Sequence, residues 1–337
     1  MVVAGKKKTI RSNSKTNLLL ILNLFLILSC TNNSIKQSKQ IESIKVEVPS
    51  FNEDSAYVYI KKQVDFGPRV ISSSGWKKCA DWLEKEFKKY TANVIIQEAP
   101  VTTYDNRKHI AKNIIATFNP ETNNRIALFA HWDTRHVADY DSINKTSPIL
   151  GANDGGSGVG VLLEIARQLN NKKTKIGIDI ILFDAEDYGQ PENSKFPIVE
   201  NSWCLGSQYW SKYPHKKNYY ARYGILLDMV GAKNATFTYE ATSVYFAENI
   251  LDKVWSAAHD LGYSNYFIFQ ETKQILDDHY YVNTVASIPT IDIIEYDAST
   301  ATNFNKHWHT HQDDMRNINK KTLKAVGQTL LEVIYNE

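Results

Sequence analysis

The sequence has little net charge, few cysteines and no internal repeat. Its 39 lysine and arginine residues are nearly balanced by 37 aspartate and glutamate residues, which leaves a net charge of +2 over 337 residues. This balance excludes the strongly basic surface that is typical of nucleic-acid-binding proteins. Hydrophobic residues make up 43% of the chain and aromatic residues 12%, which is enough for one large core. We therefore expect a single globular domain without a nucleic-acid partner.

The amino terminus lacks an apolar run long enough to cross a bilayer comfortably. Its apolar stretch covers residues 18–28, whereas a membrane-spanning helix needs about 20 apolar residues. A basic segment precedes this stretch, and Ser29 and Cys30 follow it. This order resembles the signal peptide and lipobox of bacterial lipoproteins. The alternative is an uncleaved membrane anchor.

The lipobox resemblance predicts how the chain is divided. We expect residues 1–29 to be removed as a signal peptide and Cys30 to carry a lipid. Residues 30–50 are polar and without periodicity, which predicts a flexible tether, and residues 51–337 form a single α/β domain. The protein is then an exported lipoprotein of a bacterium, periplasmic or attached to the outer membrane. We expect it to be a monomer that touches a membrane only through its lipid.

Two cysteines remain once Cys30 is set aside. Two thiols in an exported chain can form a disulfide. However, Cys79 falls on the apolar stripe of a predicted helix, where cysteine behaves as a small core residue. We do not predict a disulfide, and the sequence leaves open whether Cys79 and Cys204 pair.

Strand and helix patterns alternate along the rest of the chain. Helical periodicity occurs at residues 52–64, 158–169, 244–261 and 320–335, and in a helix for which Ser74 is the expected N-cap. Apolar runs typical of strands occur at 94–97, 110–118, 125–130, 178–183, 223–230, 266–270 and 288–295. This alternation predicts an α/β fold whose mixed, mostly parallel central sheet is covered by helices on both faces. The polar segment 189–202 is a candidate lid or rim.

The apolar run 178–183 ends in the carboxylates Asp184, Glu186 and Asp187. In open α/β sheets, ligands bind beyond the carboxyl ends of the strands, so chemistry is expected here. Two adjacent acids cannot both point the same way. One of them can therefore bind a cation while the other moves protons. The alternative is a pair of solvated loop acids.

Other polar groups follow other predicted strands, and we expect all of them at one edge of the sheet. They are His131 and Asp133, Asp154, Asp228, Asp277 to His279, and the histidines at 307, 309 and 311. Partly buried acids without a cation would repel one another at a high desolvation cost. Carboxylate and imidazole ligands without thiolate suit Zn²⁺. We expect Asp154, Asp187 and His309 as ligands, although the residues alone leave His307 and His311 open.

The ordered motifs resemble the zinc-dependent aminopeptidase superfamily and, more narrowly, its glutaminyl cyclase branch. The motifs are FAHWD at 129–133, GANDGG at 151–156, LFDAED at 182–187, LLDMVGA at 226–232, DDH at 277–279 and WHT at 308–310. The resemblance covers nearly the whole chain from about residue 65. It selects His309 as the histidine ligand and implies one zinc per chain. Animal members carry Glu where this chain has Asp187, so the detailed metal geometry differs here.

The resemblance also implies a reaction and a role for each residue. N-terminal glutamine of peptides or proteins would cyclise to pyroglutamate with release of ammonia. Glu186 would carry the proton, Asp228 would hold the substrate amine, and Asp278 would share hydrogen bonds with Glu186. The pocket wall would be Trp308 and Trp203, and the residues that orient the site would be His131 and Asp133. Ordinary strand-end and helix-capping roles are the alternatives for Asp228 and Asp278.

Two other functions remain open on the sequence alone. A dizinc aminopeptidase of the same superfamily would use His131 and Asp228 as further ligands, and both residues are present. A lipoprotein could also use this fold as a binding module without catalysis. An intact Glu186 and a full set of ligands argue against the binding module.

Overall fold

The computed structural model describes residues 46–337. The predicted signal peptide, the lipidated Cys30 and most of the predicted tether lie outside the described residues. The helices are α1 (Glu53–Val64), α2 (Ser74–Phe87), α3 (Gly156–Asn171), α4 (Leu205–Lys212), α5 (Ala241–Asp260), α6 (Asp278–Thr284) and α7 (Lys320–Tyr335). The strands are β1 (Val94–Thr102), β2 (Lys108–Phe118), β3 (Arg125–His131), β4 (Gly177–Phe183), β5 (Gly224–Asp228), β6 (Phe237–Glu240), β7 (Phe267–Thr272) and β8 (Thr290–Ile294).

Six strands form the main sheet in the order β1-β2-β4-β3-β5-β8. Strands β4, β3, β5 and β8 run parallel, whereas β1 and β2 form an antiparallel edge. Strands β6 and β7 form a separate parallel pair. The predicted mixed, mostly parallel sheet is therefore confirmed.

Side chains on the strands alternate between two buried cores. Leu128, Ile180 and Leu182 belong to the larger core, which includes residues of α1, α2, α3, α5 and α7. Phe129 and Ile181 point the opposite way into a smaller core with Trp210 of α4 and Val282 of α6. This period of two buries both faces of the sheet, as expected for parallel strands covered by helices.

Local details differ from the sequence prediction at several places. The N-cap of α2 is Ser73 rather than Ser74, since the hydroxyl of Ser73 accepts a hydrogen bond from the Trp76 amide at 3.1 Å. Helix α7 covers the residues predicted for it. Helices α4 and α6 and strand β6 were not predicted from the sequence, since they have only four to eight residues each.

The first described residues lie against the domain. Val46 and Val48 pack on the larger core, and Gln168 and Gln328 donate hydrogen bonds to the carbonyls of Ser50 and Pro49. The division of the chain into signal peptide, tether and domain stays a prediction. Within residues 46–337, none of the helices combines the length and the apolar character needed to span a membrane.

Candidate active site

The carboxyl ends of the parallel strands bring the predicted site residues together. His131 ends β3 and Asp228 ends β5, while Glu186 and Asp187 follow β4. Asp154 lies in the turn that leads into α3. The parallel direction of β3, β4 and β5 places these ends at one edge of the sheet, where His309 joins them from the loop after β8.

Asp154, Asp187 and His309 form a first group, called here the Asp187 cluster. Each offers one ligand atom, and these atoms all lie within 4.8 Å of one another. Nε2 of His309 is 3.2 Å from Oδ1 of Asp187 and 3.6 Å from Oδ2 of Asp154. All three residues are buried.

The Asp187 cluster fits a zinc ion. Oδ2 of Asp154 and both carboxylate oxygens of Asp187 are buried without a hydrogen-bond partner. Unpaired buried carboxylate oxygens are costly, so a ligand is expected to satisfy them. Two carboxylates and one imidazole are ligands that zinc takes in catalytic sites, where a fourth position stays open. Burial, followed by the charge of Asp154, raises the pKa of Asp187 to about 6, which a bound cation would reverse.

His131, Asp154 and Asp228 form a second group, called here the His131 cluster. Its ligand atoms also lie within 4.8 Å of one another. Nε2 of His131 is 3.1 Å from Oδ1 of Asp154 and 3.2 Å from Oδ1 of Asp228. Asp154 therefore belongs to both clusters and turns one oxygen towards each histidine.

Buried acids hold the loops that carry these ligands. Asp133 accepts hydrogen bonds from the backbone amides of Glu186 and Asp187, both at 3.1 Å. Asp313 accepts hydrogen bonds from the amides of Asn153 and Asp154 at 2.8 and 3.0 Å. The predicted orienting role of Asp133 therefore has a geometric basis in the loop after β4.

Gly155 allows the turn after Asp154 to approach β3. Its φ is +79°, a conformation that L side chains rarely adopt. A Cβ atom there would lie 2.7 Å from the carbonyl oxygen of Asp133 and 2.9 Å from the His131 ring. Glycine is therefore required for the contact between the Asp154 turn and the end of β3.

Arg135 and Asp139 support the Asp187 cluster, and the sequence analysis did not find them. Oδ1 of Asp139 lies 3.1 Å from Nδ1 of His309, on the ring edge opposite Nε2. Arg135 pairs with Asp139 at 2.6 Å and donates to the backbone carbonyl of Asp187 at 3.0 Å. A carboxylate behind a metal-binding histidine fixes the orientation of the ring. The i,i+4 spacing of Arg135 and Asp139 carries no signal in a segment without helical periodicity.

Glu186 lies beside the Asp187 cluster and faces a pocket. The pocket has a volume of about 170 Å³, and its wall includes all three members of the cluster, Asp228, Asp277, Ile275, Leu276, Phe304, Trp203 and Trp308. The side chain of Glu186 is 12% exposed. Burial raises the pKa of Glu186 well above its usual value, and the neighbouring carboxylates Asp187, Asp277 and Asp278 raise it further. A carboxyl group in this environment is suited to accept and return a proton.

The structure places Asp277 and Asp278 differently relative to the pocket. Asp277 lines the pocket and has a carboxylate oxygen within 4.8 Å of Glu186. Asp278 is fully buried outside the pocket wall, and its carboxylate oxygens make no hydrogen bond to Glu186. The reason is local, because Asp277 is the N-cap of α6 in extended conformation while Asp278 is already the first helical residue. Both residues are Asp, so the N-cap preference for this residue type does not separate them.

The two predicted tryptophans flank His309. The Trp308 ring stacks on the His309 ring with centroids 3.6 Å apart, and the Trp203 ring is nearly parallel to it at 6.0 Å. Arg135 covers Trp203, with its guanidinium carbon 4.3 Å from the ring centroid. Both indoles therefore form part of the pocket wall beside the Asp187 cluster.

Comparison with known proteins gives the family. Residues 113–334 match the model of peptidase family M28. A structure described as a Zn-dependent exopeptidase from Parabacteroides distasonis is 55% identical, with a TM-score of 0.85, over 86% of this chain and 100% of that one. Glutaminyl cyclase from Bacteroides thetaiotaomicron is 52% identical, with a TM-score of 0.84 and the same coverage.

More distant relatives are known from sequence. Glutaminyl-peptide cyclotransferase from Boiga irregularis is 24% identical over 249 residues, which are 65% of this chain. The match spans 63% of the length of that relative. The family match and the similarity to solved structures both cover the two clusters, the Glu186 loop and the Trp308 loop. The chain therefore belongs to peptidase family M28, and its solved relatives include bacterial glutaminyl cyclases.

Proposed function

We propose that this protein is a zinc-dependent glutaminyl cyclase, which converts N-terminal glutamine of peptides and proteins to pyroglutamate and releases ammonia. The observation that carries the proposal is the position of Glu186. It faces a small pocket beside the Asp187 cluster and between aromatic walls. The 52% identity to a bacterial glutaminyl cyclase over its whole length supports the same activity.

The pocket suits one terminal residue rather than an extended peptide. Its volume of about 170 Å³ is below the range of about 300–1,000 Å³ that is typical of sites for drug-sized ligands. Its surface is mainly apolar, with carboxylates on one side. A glutamine side chain and its own α-amine can react with each other there, because the reaction is intramolecular and needs no nucleophile from the protein.

The reaction requires one proton to move between two nitrogen atoms of the substrate. The α-amine nitrogen forms a bond to the side-chain amide carbon, and the bond from that carbon to the amide nitrogen breaks. Glu186 takes a proton from the attacking amine and returns it to the departing nitrogen, which leaves as ammonia. Asp154, Asp187 and His309 would hold the zinc, which would supply Lewis-acid polarisation of the side-chain carbonyl of the substrate.

The remaining pocket residues position the substrate. Asp228 faces the pocket with a carboxylate that can hold the substrate amine, and burial raises its pKa to about 7. Asp277 rather than Asp278 lies beside Glu186 and is placed to steady the departing nitrogen. Trp203 and Trp308 exclude water from one side of the pocket, so that protons exchange between Glu186 and the substrate.

A peptide with N-terminal glutamine tests the proposal directly. We expect a mass loss of one ammonia from the peptide and free ammonia in solution, both abolished by a chelator. An otherwise identical peptide with N-terminal alanine is the control and should stay intact. Release of free N-terminal amino acids from either peptide would contradict the proposal.

One observation favours a second function, a dizinc aminopeptidase. The His131 cluster offers three buried ligand atoms within 4.8 Å, and it shares Asp154 with the Asp187 cluster. The two clusters together would hold two zinc ions, with Asp154 in both ligand sets. Zinc content by elemental analysis separates the two functions, since the aminopeptidase requires two tightly bound ions per chain.

We further propose one zinc per chain, a monomer, and export as a lipoprotein, periplasmic or attached to the outer membrane, with Cys30 as the lipid anchor. The sequence of residues 1–30 supports the anchor. Replacing Cys30 with serine should move the protein from the membrane fraction to the soluble fraction. Light scattering of the domain tests the monomer.

A further inference from the structure

A third cluster of ligand atoms lies at the pocket and contains a thiol. Glu186, Cys204 and Asp277 each offer one atom, and these atoms lie within 4.8 Å of one another. Sγ of Cys204 is 3.3 Å from Oε1 of Glu186. Cys204 is fully buried and Asp277 is 3% exposed, while Glu186 opens to the pocket. A small ion can therefore reach this cluster through the pocket.

The backbone fixes the direction of the thiol. The amide of Cys204 donates to the carbonyl of Glu186 at 2.9 Å, and the next amide donates to the carbonyl of Ala185 at 3.0 Å. Cys204 has a φ of +57°, a left-handed conformation that costs energy for a residue with a side chain. The side chain is thus held against Glu186 by the start of α4.

Asp277 supplies one carboxylate oxygen to this cluster and also belongs to a fourth group of ligand atoms, with His279 and Asp292. Its Oδ1 accepts the Asp278 amide as the cap of α6, whereas its Oδ2 is buried without a hydrogen-bond partner. An unpaired carboxylate oxygen beside a thiol and a second carboxylate attracts a cation. This observation is independent of the thiol.

We propose that Glu186, Cys204 and Asp277 form an inhibitory site for a thiophilic divalent cation such as Cd²⁺ or excess Zn²⁺. On binding, the thiol gives its proton to the solvent and forms a sulfur–metal bond, and no oxidation or reduction occurs. The two carboxylates complete the ligand set. Glu186 can then no longer carry a proton, so the enzyme stops while its catalytic zinc stays in place.

The proposed site is distinct from the Asp187 cluster and the His131 cluster, and it shares only Asp277 with the group of Asp277, His279 and Asp292. The Asp187 cluster and the His131 cluster consist of oxygen and nitrogen ligands only, and neither includes Glu186, Cys204 or Asp277. Sulfur favours soft cations, so Cd²⁺ should bind here more strongly than Mg²⁺ or Ca²⁺. The inhibition rests on the proposed cyclase activity, whereas the binding of Cd²⁺ does not.

Cadmium added to the zinc-loaded enzyme tests the site. Thiolate-to-cadmium bonds absorb in the ultraviolet, so binding is followed without an activity assay. We expect the absorption to reach its maximum at one Cd²⁺ per chain and cyclase activity to fall in parallel. No zinc should appear in a filtrate of the protein. The Cys204→Ala variant should lack the absorption, and Cd²⁺ should inhibit it at least tenfold more weakly relative to its own cadmium-free rate.

Two further variants keep the test decisive. Cys204→Gly suits the left-handed backbone, so it replaces Cys204→Ala if that variant does not fold. Cys79→Ala removes the other buried thiol, which lies in α2 and should not affect Cd²⁺ binding.

Equal inhibition of wild type and Cys204→Ala, with release of zinc, would show displacement at the Asp187 cluster and overturn the proposal. Cadmium binding without turnover of any glutamine peptide would instead contradict the proposed function and leave the site standing.

Discussion

The Asp187 cluster and the His131 cluster share Asp154 but satisfy their polar atoms differently. In the Asp187 cluster, three carboxylate oxygens are buried without a hydrogen-bond partner. In the His131 cluster, the ring of His131 bridges Asp154 and Asp228 at 3.1 and 3.2 Å. Burial lowers the pKa of His131, but its contacts with Asp133, Asp154 and Asp228 outweigh burial and raise the pKa well above 6.5.

The difference teaches which cluster depends on a metal. A protonated His131 can neutralise its neighbours by itself, because it makes a hydrogen bond with Asp228 and lies 3.1 Å from Asp154. Asp187 has only His309 as a close cationic partner, and both of its oxygens remain without a hydrogen bond. Similar residue types therefore satisfy their polar atoms differently in the two clusters, and this contrast supports the proposal of one zinc per chain.

The largest expected effect comes from replacing the acid that is unique to each cluster. Asp187→Asn should lose its zinc, and activity should fall roughly 10⁴-fold, because metal stabilisation of several kcal/mol is lost and each 1.4 kcal/mol is about tenfold. Asp228→Asn should keep one zinc per chain. Elemental analysis after gel filtration measures both. Loss of zinc from Asp228→Asn would break the contrast between the clusters.

Replacing Glu186 tests whether zinc binding and proton transfer depend on different residues of the site. Glu186→Gln cannot carry a proton, and we expect activity to fall about 10³-fold while zinc content stays unchanged. Turnover of a glutamine peptide and elemental analysis measure the two properties. Glu200→Gln, an exposed acid of the 189–202 segment, is the matched control and should behave as wild type. Full activity of Glu186→Gln would exclude it as the proton carrier.

Asp139 supports the Asp187 cluster through His309. Asp139→Asn should weaken zinc binding about 10- to 100-fold, because the carboxylate behind the histidine no longer orients the ring. Competition with a chelator measures this affinity. Asp260→Asn, at the exposed end of α5, is the control. An unchanged zinc affinity in Asp139→Asn would mean that the ring is held by its stacking on Trp308 alone.

Much of the site could be predicted from the sequence because of a general rule: in α/β sheets, ligands bind beyond the carboxyl ends of the strands. His131, Glu186, Asp187 and Asp228 each follow an apolar run, so their convergence could be expected before any coordinates. His309 could not be separated from its neighbours by this rule, since it lies in an irregular loop after β8. Only the resemblance to known motifs selected it.

Other parts of the site could not be predicted because they depend on tertiary contacts. Asp277 and Asp278 are adjacent acids, and only the exact start of α6 decides which one faces the pocket. Arg135 donates to the backbone carbonyls of Asp187 and Gly189 as well as to Asp139, and a loop brings these carbonyls within reach. Cys204 looks like an ordinary core residue in sequence, and its contact with Glu186 requires the turn before α4.

The last prediction concerns the stability of the fold rather than zinc binding or turnover. Glu295 is 3% exposed and accepts hydrogen bonds from the neutral amides of Asn305 and Asn153 at 2.9 and 3.4 Å. Burial raises its pKa from 4.5 to about 7. Because the folded state holds this proton more tightly, the contribution of Glu295 to stability is present below pH 4.5 and is lost as the pH rises through 7.

The loss amounts to about 3 kcal/mol, at 1.36 kcal/mol for each pH unit between the two pKa values. Glu295→Gln has no proton to lose, so the gap in unfolding free energy between wild type and variant should move by this amount in favour of the variant between pH 4 and pH 8. Urea unfolding of both proteins at pH 4 and pH 8 measures this difference in unfolding free energy. A pH-independent change in stability caused by the glutamine amide is the same at both pH values and therefore cancels. A gap that does not change with pH would mean that the two asparagines stabilise the charged carboxylate without a cation. The contrast between the two clusters would then lose its premise that burial alone makes a carboxylate costly.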